Sequence, residues 1–180
     1  GVPKTDWSWG PLFADFDHDG WKDLYIANGI RKDIRNIDWA RSFWKQLEKY
    51  GGQENLPGEV VDQLLADLPS EKIVSYMYHN NRDLTFTRVN ASWGMEQPSI
   101  SNGAAFGDLD RDGDLDLVVN KVDDPDFIYE NLQNRRGDGH YLVVRLKGSV
   151  ANPFGLGSVV SIWCVGKQQI QQFYTSRGFR

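Results

Sequence analysis

The 180 residues carry 25 acidic and 20 basic side chains for a net charge of −5, with 40% hydrophobic residues, seven tryptophans and one cysteine. This is the composition of a soluble globular chain with enough length for one or two modest cores. It excludes an internal disulfide framework and, with no apolar run of about 18 residues, a membrane-spanning helix.

The first informative stretch is "FADFDHDGWKDLYIANG", residues 13–29, which places Asp15, Asp17, Asp19 and Asp23 around Gly20 and runs into the strand-like "LYIA". Next, Asn36 to Tyr50 carries Ile37, Ala40, Phe43, Trp44 and Leu47 at helical spacing. A second helical run follows Pro57, with Val60, Val61, Leu64, Leu65 and Leu68 on one side and Pro69 as its stop. These predict a helical hairpin inserted between strands, its aromatic stripe packed against a sheet. "IVSYMYHN" and "LTFTRV" alternate around the polar turn "NRD" and read as a β-hairpin.

The acidic stretch then returns as "FGDLDRDGDLDLVVN", residues 106–120. At an offset of 93 residues, seven of the twelve positions from Phe13 to Leu24 are identical, so the chain contains an internal repeat. "DFIYENL" is a further strand. Residues 131–180 hold seven Lys or Arg and one acid, a charge of +6, which leaves −11 on residues 1–130 and predicts a boundary near residue 131. Beyond it, "HYLVVRLKG", "GSVVSIWCVG" and "QQIQQFYT" read as three strands of a separate β unit joined by "ANPFGLGS", with Cys164 a small buried apolar residue. The chain opens on Gly1 and stops at "YTSRGFR" without a cap signal, and is expected to be a slice of a longer protein.

Like charges about 4 Å apart repel by roughly 1 kcal/mol even in water. Four acids within nine residues therefore predict a counter-ion. Acids at positions 1, 3, 5 and 9 with Gly at 6 form a spacing that wraps oxygens round Ca²⁺, and the carbonyl of position 7 adds a ligand. The first loop then offers Asp15, Asp17, Asp19, the Trp21 carbonyl and Asp23; the second offers Asp108, Asp110, Asp112, the Asp114 carbonyl and Asp116. An EF-hand would need Glu at position 12, where Ile26 and Val119 stand, so that fold is excluded. Two Ca²⁺ would bring the net charge from −5 to −1. Mg²⁺ demands a tighter octahedral shell, and transition metals want Cys or His ligands that neither loop supplies; His18, at position 4, faces outward.

The pattern F-x-D-x-D-x-D-G-x-x-D-L resembles the FG-GAP/VCBS repeat, the calcium-loop blade of integrin-α-like β-propellers. "YMYHNNRDLTFTRVN" through "SNGAAFGDLDRDGDLDLVVN" resembles one full blade, and the first 29 residues resemble the end of an earlier one. His140–Gly148 and Asn152–Ser158 resemble the start of an ASPIC/UnbV domain, and "NGIRKDIRNIDW" is similar to a stretch of large bacterial surface proteins of the cartilage-acidic-protein type. The resemblance implies a mainly β fold: a partial β-propeller with an inserted helical hairpin and a C-terminal β unit. Its parts would be a blade end with the first calcium loop (1–29), the helical insert (30–70), a blade with the second loop (71–133) and a truncated ASPIC/UnbV-like unit (134–180). It also implies an extracellular, cell-surface or periplasmic protein whose remaining blades pair the edges left here.

The function expected is a non-catalytic, calcium-binding adhesion module for a protein or glycan ligand. The alternative is part of a calcium-assisted polysaccharide lyase or hydrolase, which needs an acid–base pair in one cleft. Nucleic acid is not expected as a partner, because the basic residues after 131 are dispersed. Two short motifs are ambiguous: Arg136-Gly137-Asp138 spells an integrin-recognition tripeptide, and Asn90-Ala91-Ser92 fits a glycosylation acceptor.

Overall fold

The computed structural model describes residue 2 and residues 5–137, 140–164 and 166–175. In chain order it forms β1 (Ser8–Ala14), β2 (Asp23–Asn28), α1 (Ile37–Tyr50), α2 (Gly58–Ala66), β3 (Ile73–Val74) and β4 (Tyr76–Asn80). Then come β5 (Phe86–Arg88), β6 (Pro98–Ser99), β7 (Ser101–Gly107), β8 (Asp116–Lys121), β9 (Phe127–Tyr129), β10 (Val159–Cys164) and β11 (Lys167–Gln172). The described residues are mainly β, with several small sheets and two α-helices.

The repeat in sequence is a repeat in structure. One sheet has the antiparallel order β1-β2-β4-β5, the other β7-β8-β9. Phe13 faces Leu24 and Leu24 faces Tyr78 in the first; Phe106 faces Leu117 and Leu117 faces Tyr129 in the second. Both opening strands slip register near Gly10 and Gly103, and Gly10 takes φ 41°, which suits the unpaired residue of a bulge. The acidic loops are therefore the β1–β2 and β7–β8 connections, and Asp23 and Asp116 are the first residues of the strands that follow.

Residues 71–133, expected as one blade, serve two sheets. β4 and β5 complete the sheet begun by β1 and β2, while 101–129 form the second. The helical insert thus interrupts a single sheet between its second and third strands. Sequence order hides this, because β2 cannot be seen to lack its second neighbour until β4 arrives.

A shared core holds the sheets together. In β1 the alternation turns Leu12 and Ala14 inward and leaves Pro11 and Phe13 exposed. Those inward residues join Phe16, Tyr25, Ala27, Met77 and Met95 from the first half with Leu117 and Val119 from the second. Burying each large apolar side chain is worth about 1.5–3 kcal/mol. The opposite face of β2 is also covered, with Leu24 and Ile26 packed on Tyr78.

The helical hairpin forms where the spacing predicts. The Asn36 side chain accepts the amides of Asp38 and Trp39 at 3.1 and 3.0 Å, and Gly51 ends α1 in the left-handed region at φ 74°. Its stripe does not enter the sheet core. Trp39 stacks on Phe43 at 5.3 Å and donates its indole N–H to the Leu64 carbonyl at 2.7 Å, so the stripe is tied to α2 through Trp39. No α1 residue is buried, and Trp44 remains 66% exposed.

The C-terminal unit differs from expectation in two respects. Residues 140–148 form no strand and join no ladder among the described residues, leaving the β10–β11 hairpin in place of three strands. Cys164 is exposed rather than buried, because nothing among the described residues covers that end of the hairpin.

Candidate metal centre

In the first loop, the Asp15 carboxylate accepts the amides of Asp19 (3.1 Å) and Gly20 (3.0 Å), and Asp17 accepts the Asp19 amide at 3.2 Å. Asp19 in turn accepts the Trp21 amide at 2.7 Å; that amide contact fixes Trp21 in the loop while its indole is exposed. The wrap requires left-handed backbone at His18 (φ 59°) and Gly20 (φ 88°). The second loop repeats it. Asp112 donates its amide to Asp110 (3.2 Å), Asp114 donates to Asp112 (3.3 Å), and Arg111 and Gly113 take φ 68° and 100°.

The ninth position in each loop is a buried clamp. Asp23 accepts the amides of Phe16 (3.2 Å) and Asn80 (3.0 Å). Asp116 accepts those of Leu109 and Asn131, both at 2.9 Å. The two asparagines also return a side-chain N–H to their loop, Asn80 to the Lys22 carbonyl (3.0 Å) and Asn131 to the Leu115 carbonyl (3.2 Å). Asn131 reaches further, donating to the Phe16 carbonyl at 2.7 Å, and so ties the two loops together. Both asparagines were missed in the sequence. The signal was available as a recurring Tyr-x-Asn, "YHN" at 78–80 and "YEN" at 129–131.

Residues of the turn after each third strand also meet the fifth-position aspartates. Arg82 places Nε and Nη2 at 2.9 and 2.7 Å from Asp19 Oδ2, and Asn134 donates to Asp112. Beside the first loop, His79 Nδ1 lies 3.1 Å from Asp17 Oδ2 and 3.3 Å from Asp23 Oδ1.

The electrostatics favour a cation. Burial pushes the Asp23 carboxyl up to about 6 from an ordinary 3.8, the neighbouring Asp17 charge adding to it against the hydrogen bonds of Asn80 and Phe16. Burial also raises Asp15, reinforced by Asp17 and Asp19, and raises Asp114, reinforced by Asp112. One donor oxygen from each of Asp15, Asp17 and Asp19 lies within 4.8 Å of the others, and the same holds for Asp108, Asp110 and Asp112. Asp114 was expected to contribute its carbonyl. Its side chain is fully buried as well, with Oδ2 accepting the Asn134 amide at 3.1 Å and Oδ1 left without a partner. A buried carboxylate oxygen in that state costs several kcal/mol unless an ion or a proton meets it. The loop donors themselves are hard carboxylate and carbonyl oxygens, a set that fits Ca²⁺.

Residues 62–119 match the FG-GAP-like repeat. The match contains the whole second acidic loop and its flanking strands β7 and part of β8, and stops short of the first loop. Human cartilage acidic protein 1 is 24% identical to the chain over 138 residues, covering 74% of the chain and 21% of that protein. The chain thus spans about a fifth of the length of this relative. No helix among the described residues is long and apolar enough to cross a membrane.

The ambiguous motifs resolve unequally. Asn90 is buried, its side chain accepting from the Met77 amide (3.1 Å) and Arg88 Nε (2.9 Å) and donating to the carbonyls of Ser75 (2.7 Å) and Met95 (2.8 Å). It is a structural strut, inaccessible to a glycosyl donor in the folded chain. The tripeptide at Arg136 ends on Asp138, which lies outside the described residues.

Proposed function

We propose that the chain is a calcium-stabilised, non-catalytic recognition module from the extracellular side of a cell, each acidic loop holding one Ca²⁺. The observation that carries this reading is the pair of carboxylate loops at matching places in the two sheets, each backed by a buried aspartate clamp, with one Asp114 oxygen left without a partner. The FG-GAP-like match over the second loop supports it, as does the similarity to a human protein named for cartilage. In this reading the two sheets are neighbouring propeller-type blades, and the turn built on Asn152, Gly155 and Gly157 opens an ASPIC/UnbV-like unit. That turn is closed by the Asn152 side chain, which accepts the Leu156 amide at 2.9 Å and donates to its carbonyl at 3.0 Å.

A protein or glycan ligand would meet the cleft of about 240 Å³ between the loops, where Trp93 and Met95 stand beside Asp17, Glu130 and Arg136. Bound Ca²⁺ would set the shape of its wall through Asp17. The test is calorimetric titration of the 180-residue chain with Ca²⁺. Two ions are expected, with Asp19→Ala and Asp112→Ala each losing one, and a site at a hundred times its Kd adds about 2.7 kcal/mol of stability. Unchanged stoichiometry in both variants would refute the ligand assignment.

A further inference from the structure

The two loops are not chemically equal, and the difference lies in a residue that the loop spacing does not contain. At the position just before the clamp asparagine, the first sheet carries His79 and the second carries Glu130. His79 belongs to β4, so the helical insert separates it from the loop in sequence and only the β2–β4 pairing brings it back. Its Nδ1 sits between two carboxylates of the first loop, 3.1 Å from Asp17 Oδ2 and 3.3 Å from Asp23 Oδ1. The three donor atoms all lie within 4.8 Å of one another.

Donors about 2.1 Å from a shared ion stand about 3.0 Å apart at a right angle and about 3.4 Å apart at the tetrahedral angle. Both His79 contacts fall in that interval. Asp23, with no exposed surface, is held by the Phe16 and Asn80 amides, so its oxygens are fixed in place before any ion arrives. His79 itself is about one-third exposed, which leaves a path for an ion and for completing waters.

We infer that Asp17, Asp23 and His79 make the first loop a mixed nitrogen–oxygen site, able to take a zinc-class divalent ion that the second loop refuses. This rests on the reading of the acidic loops as metal sites and adds to it a second metal class for one of them. Imidazole nitrogen suits Zn²⁺ and its first-row neighbours and adds little for Ca²⁺, which takes oxygen donors. The second loop gathers Asp108, Asp110 and Asp112 and so offers oxygen alone, while Glu130 in the matching place pairs with Arg135 at 2.6 Å. A simple ion pair between His79 and the two acids would use the same distances, so the contrast between metals, not the contact itself, decides the matter.

The experiment uses the full chain in a Cys164→Ser background, so that the exposed thiol does not bind zinc. Zn²⁺ and Ca²⁺ are titrated separately by calorimetry, and ¹⁵N-histidine NMR follows the three imidazoles. Zn²⁺ should shift the His79 resonances, identified by their loss in His79→Gln. That variant should lose about tenfold or more in Zn²⁺ affinity while Ca²⁺ affinity changes less than about threefold. Glu130→His should give the second loop a zinc site of its own. If His79→Gln leaves the Zn²⁺ affinity unchanged, or Zn²⁺ binds without moving the His79 nitrogens, the inference is overturned while two bound Ca²⁺ would keep the calcium reading intact. If neither metal binds either loop, both fall together.

Discussion

Stripping metal from the chain should invert its response to acid. Asp23 is fully buried, and burial raises its carboxyl from 3.8 to about 6. Folded chain therefore binds this proton more tightly than unfolded chain, so stability is greatest below about pH 4 and falls as the pH rises through about 6. Each decade of proton affinity is worth about 1.4 kcal/mol, which makes the loss roughly 3 kcal/mol from this residue alone. Asp15 and Asp114 are displaced in the same direction by burial, so they add to the trend. About 1.3 kcal/mol of that loss falls between pH 5 and pH 7, so chelator-treated protein should melt about 3–5 °C higher at pH 5 than at pH 7, at about 2–4 °C per kcal/mol for a chain of this size. Saturating Ca²⁺ should reverse the slope, because the ion needs the carboxylates ionised. Scanning calorimetry at both pH values, with and without Ca²⁺, measures both limbs, and Asp23→Asn should flatten the metal-free one. A metal-free melt that is level or falls on acidification from pH 7 to pH 5 would refute the reasoning.

Asn90→Ala removes the partner of three buried backbone groups, the Met77 amide and the carbonyls of Ser75 and Met95. At about 1–3 kcal/mol for each unsatisfied group, with partial relaxation, it should cost roughly 3–5 kcal/mol in urea unfolding. Asn131→Ala frees the Phe16 and Leu115 carbonyls and should weaken Ca²⁺ binding at both loops, whereas Asn80→Ala should weaken the first alone; calorimetric titration of the two variants separates these outcomes.

The parts legible in the sequence were those encoded locally. Loop boundaries, the clustering of the loop aspartates, the strand after each loop and the two helices all follow from short-range spacing. Sheet membership was not legible. The insert between β2 and β4 let Tyr76–Arg88 look like the start of the next unit, when those strands complete the sheet begun by β1 and β2. The same separation concealed His79 and Arg82, whose roles exist only through strand pairing. The aromatic stripe of α1 shows a different limit: helical periodicity identifies an apolar face but not what it faces, and here that is α2 and solvent. Cys164 read as interior and residues 140–148 as a strand by composition, yet Cys164 is exposed and 140–148 pair with no strand among the described residues.

Placing the helices inside the first sheet gives the two halves of the molecule unequal assembly costs. Leu24 must find Tyr78 across 54 residues, whereas Leu117 finds Tyr129 across 12. Chain entropy charges the longer closure about 1.3 kcal/mol more. The compact half, β7-β8-β9, is therefore the natural nucleus, and its Leu117 and Val119 offer a ready apolar surface on which the dispersed half condenses.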